Sequence, residues 1–240
     1  MKLTVAGCSP AWPNPGGAQS GYLVEGESGR LLLDCGPGVL PQLRVREGWP
    51  RLDAIAISHF HLDHWGDLVP WTWGLMFGPA HELEPPELWL PPGGTEQLRT
   101  FGRSFGTEKM FEITFPIREY AEAVAFGAAS LEVMPVRVPH YGLQCFGFRV
   151  TGAGATVAYS ADSGPADALT DLARDADLFI CEATLAESRE EGARGHLSLE
   201  EAAAAFEASG ARRLLVTHRP AELPLGPGFE QARDGMEIEI

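Results

Sequence analysis

Residues 58–64 read Ser58-His59-Phe60-His61-Leu62-Asp63-His64, so three imidazoles and one carboxylate fall within six positions. The stretch directly follows an apolar run at 54–57, which predicts a loop at the end of a buried strand. No helical or strand period places these four side chains on one core face. Nitrogen and carboxylate ligands together suit zinc or a similar transition metal. The alternation allows His59 and His61 to point to one side, whereas Asp63 and His64 can turn toward a second ion.

The alternative interpretation of this stretch is a solvated polar loop that carries histidines by chance. The whole chain has seven His, and the occurrence of three within six positions argues against chance. Three further polar residues each follow an apolar run: His140, Asp162 and His218. Singly, each also has a structural interpretation, as a capped loop residue, a helix N-cap and a satisfied buried histidine. Functional groups gather where loops meet at one edge of a sheet, so all of them together favour a metal site.

Short apolar runs bounded by turn residues predict strands along the whole chain. Eleven runs are predicted as strands: 3–6, 21–24, 31–34, 54–58, 87–90, 131–138, 145–150, 156–159, 178–181, 214–217 and 236–240. Four stretches are predicted as helices: 39–46, 95–105, 166–173 and 199–208. The last is the strongest, because Ser198 can cap it and Glu201 follows three residues later. The pattern predicts an α/β fold, a four-layer αββα sandwich that forms one domain over residues 1–240.

Composition and charge exclude several classes of function. The formal net charge is −15 and no cluster of Lys and Arg is present. This balance argues against a large RNA or DNA footprint, because such proteins neutralise phosphates with basic side chains. No run approaches the roughly 20 apolar residues of a membrane span, and the apolar start is too short for a signal peptide. Four widely spaced cysteines indicate reduced thiols, so the expected location is the cytoplasm.

Seven residues resemble, in order and spacing, the ligand set of the metallo-β-lactamase superfamily: His59, His61, Asp63, His64, His140, Asp162 and His218. The resemblance spans nearly the whole chain and includes residues 31–36, which are similar to the strand of the family that ends in Asp-x-Gly. It implies two divalent cations, zinc with manganese as the alternative. One ion would be held by His59, His61 and His140. The second would be held by Asp63, His64 and His218, with Asp162 bridging the two.

A second pair of segments resembles the branch that contains ribonuclease Z and small phosphodiesterases. That branch carries His-Glu-Ala-Thr and then Gly-His-Ser-Thr. Here residues 181–184 read Cys-Glu-Ala-Thr and residues 195–198 read Gly-His-Leu-Ser, so the match is partial. The resemblance implies that His196 contacts the scissile phosphate and that Glu182 orients it. An imidazolium can stabilise phosphoryl charge and protonate a leaving alkoxide. The structural alternatives are a helix-terminal His196 and a surface or strand-end Glu182.

The predicted function is hydrolysis of a small anionic phosphodiester, such as a cyclic nucleotide or a short RNA. Hydroxide held between the two ions would attack phosphorus, with Asp63, Glu182 and His196 as catalytic residues. Transfer-RNA nucleases of this branch carry a long basic arm between the positions matching His140 and Asp162. Here that interval holds two predicted strands and a Gly-rich turn, so tRNA is not the expected substrate. The alternatives are a lactonase, thioesterase or sulfatase on the same scaffold, and a non-catalytic metal-binding sensor. A homodimer is compatible with the sequence.

Overall fold

A computed structural model describes residues 1–188 and 192–240, which form fourteen β-strands and six α-helices. The strands are β1 (Lys2–Gly7), β2 (Gly21–Glu25), β3 (Arg30–Leu33), β4 (Ala54–Ala56), β5 (Glu87–Leu90), β6 (Ile117–Glu119), β7 (Phe126–Ala128), β8 (Leu131–Val138), β9 (Cys145–Gly152), β10 (Ala155–Tyr159), β11 (Leu178–Glu182), β12 (Leu214–Thr217), β13 (Glu230–Gln231) and β14 (Glu237–Glu239). The helices are α1 (Val39–Glu47), α2 (Leu68–Phe77), α3 (Gly94–Arg103), α4 (Met110–Thr114), α5 (Asp167–Ala173) and α6 (Leu199–Ser209). A single 3₁₀ turn, Leu62–His64, lies between β4 and α2.

The strands form two seven-stranded sheets, with the orders β14-β1-β2-β3-β4-β5-β6 and β13-β12-β11-β10-β9-β8-β7. In the first sheet β3 and β4 are parallel neighbours, so both end at the same edge. In the second sheet β10, β11 and β12 are parallel. Strand β8 runs in the same direction, because β8 and β10 are both antiparallel to β9. The residues that follow these six strands are therefore brought to the carboxyl-end edges of the two sheets.

Two apolar layers hold the sheets and helices together. Strand β3 shows how, because Leu31 and Leu33 enter the core between the sheets, whereas Leu32 packs toward the helices on the first sheet. A strand covered on both faces reads as a continuous apolar run rather than an alternating one. Helices α1 to α4 cover the first sheet, and α5 and α6 pack on the second. The predicted four-layer αββα sandwich is confirmed.

All eleven predicted strands and all four predicted helices are present, with ends shifted by at most two residues. Three short edge strands of two or three residues were not predicted from the sequence: β6, β7 and β13. Helix α2 and the five-residue α4 were not predicted either. Helix α2 reads LVPWTWGLMF and carries no charged residue, so it lacks the amphipathic period by which a helix is recognised. Within the described residues, no helix has both the length and the apolar character needed to cross a membrane.

Candidate metal centre

The residues picked out from the sequence lie where the strand ends of the two sheets meet. The loop after β4 passes through His59 and His61 into the 3₁₀ turn, where the N–H of His64 donates to the carbonyl of His61 at 3.0 Å. His140 follows β8 by two residues, and His218 directly follows β12. Because β8 and β12 run in the same direction and the loop after β4 lies beside their ends, residues up to 159 positions apart become neighbours. The arrangement of the candidate ligands thus depends on strand direction within the second sheet.

One group of possible ligands consists of His59, His61, His140 and Asp162, whose ligand atoms all lie within 4.8 Å of one another. Nε2 of His140 lies 2.9 Å from Nδ1 of His61. Oδ2 of Asp162 lies 3.9 Å from Nε2 of His59 and 3.9 Å from Nε2 of His140. Tetrahedral zinc with bonds of about 2.1 Å separates neighbouring ligand atoms by roughly 3.4 Å. The spacing of this group therefore suits one cation of that size.

A second group consists of Asp63, His64, Asp162 and His218, and a third consists of Glu182, His196 and His218. Nε2 of His64 lies 3.3 Å from Oδ2 of Asp63 and 3.3 Å from Oδ1 of Asp162. Nε2 of His218 lies 3.2 Å from Oδ2 of Asp63 and 3.5 Å from Oδ1 of Asp162. These separations again match a tetrahedral site. Asp162 belongs to the first two groups and turns a different oxygen toward each, which is the arrangement that a bridging carboxylate requires.

Buried polar atoms without hydrogen-bond partners indicate whether cations fit the candidate centre. Nε2 of His59, Nε2 of His64 and Oδ1 of Asp162 are buried and have no hydrogen-bond partner within the described part of the chain. Leaving such an atom unsatisfied costs about 1–3 kcal/mol. A native fold that accumulates three of them at one point is strongly disfavoured unless something else satisfies them. Divalent cations would do so, because all three atoms are ligand atoms of the two groups. The donor set fits the divalent cations that a metallo-hydrolase uses.

Burial sets the protonation of three imidazoles. It lowers the pKa of His61 and His140 below the ordinary value of histidine, and it lowers the pKa of His59 well below that value. Neighbouring histidines oppose the charged form of these rings further. A metal ligand must be a neutral imidazole with an available lone pair. These three rings are therefore ready to bind a cation at neutral pH.

His64 differs because carboxylates surround it. Burial alone would lower its pKa, but Asp162, Asp34 and Asp63 together outweigh burial and hold the pKa well above the ordinary value. Burial likewise opposes ionisation of Asp63, yet the charge of His64 outweighs burial and holds the pKa of Asp63 well below the usual range. The favourable charge pairs thus keep Asp63 ionised, as a ligand carboxylate must be.

Asp34 orients candidate ligands of the centre through hydrogen bonds, a role that was not predicted from the sequence. Its buried carboxylate accepts hydrogen bonds from Nδ1 of His64 at 2.7 Å and from the hydroxyl of Tyr159 at 2.8 Å. It also accepts from the backbone N–H of Ser58 at 2.7 Å and from the Ser58 hydroxyl at 2.8 Å. The signal was present in the Asp-x-Gly segment after β3. There Gly36 is required, because a Cβ at that position would lie 2.0 Å from the carbonyl oxygen of Asp63.

Hydrogen bonds at Nδ1 also orient three other rings. Nδ1 of His59 contacts the hydroxyl of Ser58 at 3.0 Å, and Nδ1 of His140 donates to the carbonyl of Gly195 at 2.7 Å. Nδ1 of His218 contacts the hydroxyl of Thr184 at 2.8 Å. Contacts of this kind select the tautomer of a metal-binding histidine and leave Nε2 to face the ion. Neither Ser58 nor Thr184 was predicted from the sequence as a site residue.

Glu182 and His196 adjoin the cluster. Nδ1 of His196 lies 2.8 Å from Oε1 of Glu182. The His196 ring stacks on that of His218, with centroids 5.6 Å apart and planes at 16°. Glu182 is fully buried as the last residue of β11, so it is not a surface carboxylate. The structure thus brings all nine predicted site residues together, while their roles as ligands or catalysts stay predictions.

Sequence comparison relates the chain to known proteins. The family model described as the Beta-lactamase superfamily domain matches residues 29–219. The chain is 29% identical over 226 residues to the probable metallo-hydrolase YhfI of Bacillus subtilis, covering 92% of this chain and 87% of that protein. It is 32% identical over 223 residues to the protein Rv1339 of Mycobacterium tuberculosis, covering 92% and 81%. It is 28% identical over 255 residues to a ribonuclease Z of Mycobacterium bovis, covering 96% and 89%.

Solved structures show the same architecture. The crystal structure of the metallo-beta-lactamase fold protein YhfI from Bacillus subtilis superposes with a TM-score of 0.83 at 26% identity, covering 99% of both chains. The short form of human tRNase Z gives a TM-score of 0.75 at 23% identity, covering 100% of this chain and 99% of that one. A diphosphatase from the PhnP family gives 0.72 at 21% identity, covering 100% and 97%. At these last two identities the likeness concerns the fold.

Proposed function

The chain belongs to the β-lactamase superfamily, with ribonuclease Z proteins among its relatives, and from that premise we propose that it is a phosphodiesterase for small anionic phosphodiesters. The coarser class, a metallo-hydrolase, follows from the family and from the His/Asp cluster. The observation that carries the finer proposal is the pair of His196 and Glu182, joined at 2.8 Å beside the ligand groups. The substrates that fit are cyclic nucleotides and short RNA.

The pair suits phosphoryl chemistry better than carbonyl chemistry. Nδ1 of His196 donates to Glu182, so Nε2 on the far side of the ring is the atom that can hold or deliver a proton at the substrate. A phosphodiester presents two non-bridging oxygens and an alkoxide leaving group, each of which gains from such a donor. Backbone N–H groups of Ser163 and Thr184 also donate to Glu182, at 2.9 and 3.0 Å. Glu182 is thus rigidly held and can fix the orientation of the His196 ring.

The proposed cofactors are two divalent cations, zinc with manganese as the alternative. When bound, they would supply a water of lowered pKa and a positive field for the phosphoryl oxygens. The residues of this chain that would hold them fall into two sets that share Asp162: His59, His61 and His140 on one side, and Asp63, His64 and His218 on the other. Only Asp63 and Asp162 bring negative charge into the two groups. Two divalent cations would therefore leave a net positive centre that attracts an anion.

The size of the substrate follows from what surrounds the centre. Strands β9 and β10 form a hairpin joined by two residues, so the interval between His140 and Asp162 holds no extended arm. The net charge of −15 provides no general attraction for a polyanion. The ribonuclease Z relatives support phosphoester chemistry as a class, and the compact hairpin supports substrates smaller than tRNA.

A substrate panel tests the proposal. Chelator-stripped protein, reconstituted with zinc or manganese, is assayed on bis(p-nitrophenyl) phosphate, 3′,5′-cyclic nucleotides, short RNA and precursor tRNA. A lactone, a thioester and a sulfate ester are assayed in parallel. We expect turnover of the small phosphodiesters only. Turnover confined to a lactone, thioester or sulfate ester would assign another hydrolase activity to this scaffold. Stoichiometric cation binding without any turnover would indicate a sensor.

A further inference from the structure

Two buried carboxylates support the candidate centre in the same way. Asp34 contacts His64 directly at 2.7 Å and reaches Nδ1 of His59 through the hydroxyl of Ser58, at 2.8 and 3.0 Å. On the other side, Glu182 contacts His196 directly at 2.8 Å. Glu182 reaches Nδ1 of His218 through the hydroxyl of Thr184, at 2.9 and 2.8 Å. Each carboxylate therefore holds one histidine directly and a second through a hydroxyl.

Strand register places Thr184 where it can make this link. Strands β11 and β12 are parallel, and Glu182 pairs with Thr217 in the register. The next step of the ladder is the bond from the N–H of Ala183 to the carbonyl of Thr217 at 3.0 Å. Thr184, two residues after the end of β11, therefore lies beside His218, the first residue after β12. His218 adopts a left-handed backbone conformation with φ of 51°, which is uncommon for a residue other than glycine.

The Thr184 hydroxyl carries a single proton, which decides the direction of each hydrogen bond. Its oxygen lies 2.9 Å from Oε2 of Glu182, 2.9 Å from the carbonyl oxygen of His218 and 2.8 Å from Nδ1 of His218. The first two neighbours are acceptors, so the hydroxyl proton goes to one of them. Nδ1 of His218 must then be the donor toward Thr184. This tautomer leaves the lone pair on Nε2, the atom that faces Asp63 and Asp162.

We infer that Thr184 is a positioning residue, whose hydroxyl fixes the ring tautomer of His218 and connects that ring to the carboxylate that also holds His196. The candidate cation ligand and the candidate proton donor are thereby held by one buried group. The effect of Thr184 on catalysis rests on the proposed function, whereas its effect on cation binding does not. Losing the hydroxyl releases the His218 ring without touching a ligand atom. Interactions that orient a metal ligand in this way are worth about 10- to 100-fold in metal affinity.

The test uses full-length Thr184→Val, which keeps the side-chain volume, and Thr184→Ser, which keeps the hydroxyl. Thr72→Val is the matched control, because Thr72 is buried and its hydroxyl has no hydrogen-bond partner among the described residues. Zinc affinities of the stripped proteins are measured by competition with a chromophoric chelator. In Thr184→Val we expect one of two zinc ions to bind about 10- to 100-fold more weakly. Thr184→Ser and Thr72→Val should stay within about threefold of the parent chain.

A second measurement, by NMR on the parent protein, reports the tautomer of His218 without a destabilising variant. In zinc-loaded parent protein labelled with ¹⁵N-histidine, the Nδ1–H of His218 should give a resonance protected from solvent exchange, and Thr184→Ser should retain it. A rapidly exchanging Nδ1–H in the parent would overturn the inference, even if Thr184→Val failed to fold. The inference would also be overturned if Thr184→Val bound both zinc ions with parental affinity, or if Thr184→Ser lost as much zinc affinity as Thr184→Val. Absence of phosphodiester turnover in the parent, with zinc bound as described, would instead contradict the proposed function alone.

Discussion

Asp34 accepts a hydrogen bond from Nδ1 of His64 at 2.7 Å, and neither side chain is exposed to solvent. The contact turns Nε2 of His64 toward Asp63 and Asp162. The same carboxylate oxygen accepts from the hydroxyl of Tyr159, which lies in the second sheet. One carboxylate at the end of β3 therefore joins the two sheets and orients a candidate ligand.

Replacing Asp34 with asparagine tests this support. The amide of Asn has one acceptor oxygen, so it cannot accept from Ser58, His64 and Tyr159 together, and at least one buried donor loses its partner. We expect the free energy of unfolding to fall by about 2–4 kcal/mol. Zinc affinity at one site should fall about 10- to 100-fold. Chemical denaturation and chelator competition measure the two effects.

The control for this variant is Asp171→Asn, because the Asp171 side chain is 65% exposed and its ion pair among the described residues is with nearby Arg174. It should change the free energy of unfolding by less than about 0.5 kcal/mol. If Asp34→Asn behaved like this surface variant, the support assigned to Asp34 would be wrong.

Removal of Asp63 tests whether the second group of ligands holds an ion. In Asp63→Ala two carboxylate oxygens are lost from the group that also contains His64 and His218, so we expect bound zinc to fall from two ions to one. Turnover should fall by at least about 100-fold while the circular dichroism spectrum stays unchanged. Elemental analysis after reconstitution gives the stoichiometry.

His81→Ala is the control, because it also removes a side chain that can bind metal. The His81 side chain is 62% exposed and lies apart from the cluster. It should retain both ions and full turnover. An Asp63→Ala protein with two tightly bound ions and normal rates would show that this group is not part of the catalytic centre.

His196 and Glu182 are expected to act on the substrate side. His196→Ala should lower kcat for a phosphodiester by about 10²- to 10⁴-fold, the usual contribution of a general acid. Glu182→Gln should have a smaller effect of the same kind, because the His196 ring loses its charged partner. The zinc stoichiometry of His196→Ala should remain that of the parent. If His196→Ala hydrolysed phosphodiesters at the parental rate, the proton-donor role would be excluded.

Asp67 predicts a pH dependence of stability that is separate from the metal centre. Burial raises its pKa to about 6, although backbone N–H groups of Leu40, Gly38 and Val39 favour the ionised form. With a raised folded pKa, the folded chain binds more protons than the unfolded chain between pH 4 and 6. The contribution of Asp67 to stability is therefore fully present below about pH 4 and is lost as the pH rises through about 6.

Asp67→Asn mimics the protonated form at every pH and should remove this dependence. As the pH rises from 4 to 7, the parent should lose about 2 kcal/mol of its free energy of unfolding relative to Asp67→Asn. This figure is reduced for the partial solvent exposure of Asp67. Denaturant titrations in the presence of chelator measure the difference, so that cation release does not contribute. Parallel curves for the two proteins across this range would contradict the raised pKa.

The strands, most helices and the His-rich loop were predictable because their signals are local. Residues 58–64 carry four candidate ligands within one short loop, and His140, Asp162 and His218 each follow an apolar run within a few residues. The missed strands β6, β7 and β13 lie at sheet edges and have at most three residues. A segment that short has too few positions to show alternation, so its structure depends on the neighbour with which it pairs.

What the sequence alone determined is the list of chemical groups and the fold that carries them, because periodicity and motif spacing are properties of adjacent residues. The tertiary structure decided which groups meet. The hydrogen bond from Tyr159 to Asp34 spans 125 positions, and the 3.2 Å contact between Nε2 of His218 and Asp63 spans 155. The roles of Asp34, Ser58 and Thr184 follow from hydrogen bonds between loops of different strands. Such bonds form only after two sheets have packed and their strand ends have been brought to one edge, which no local pattern encodes.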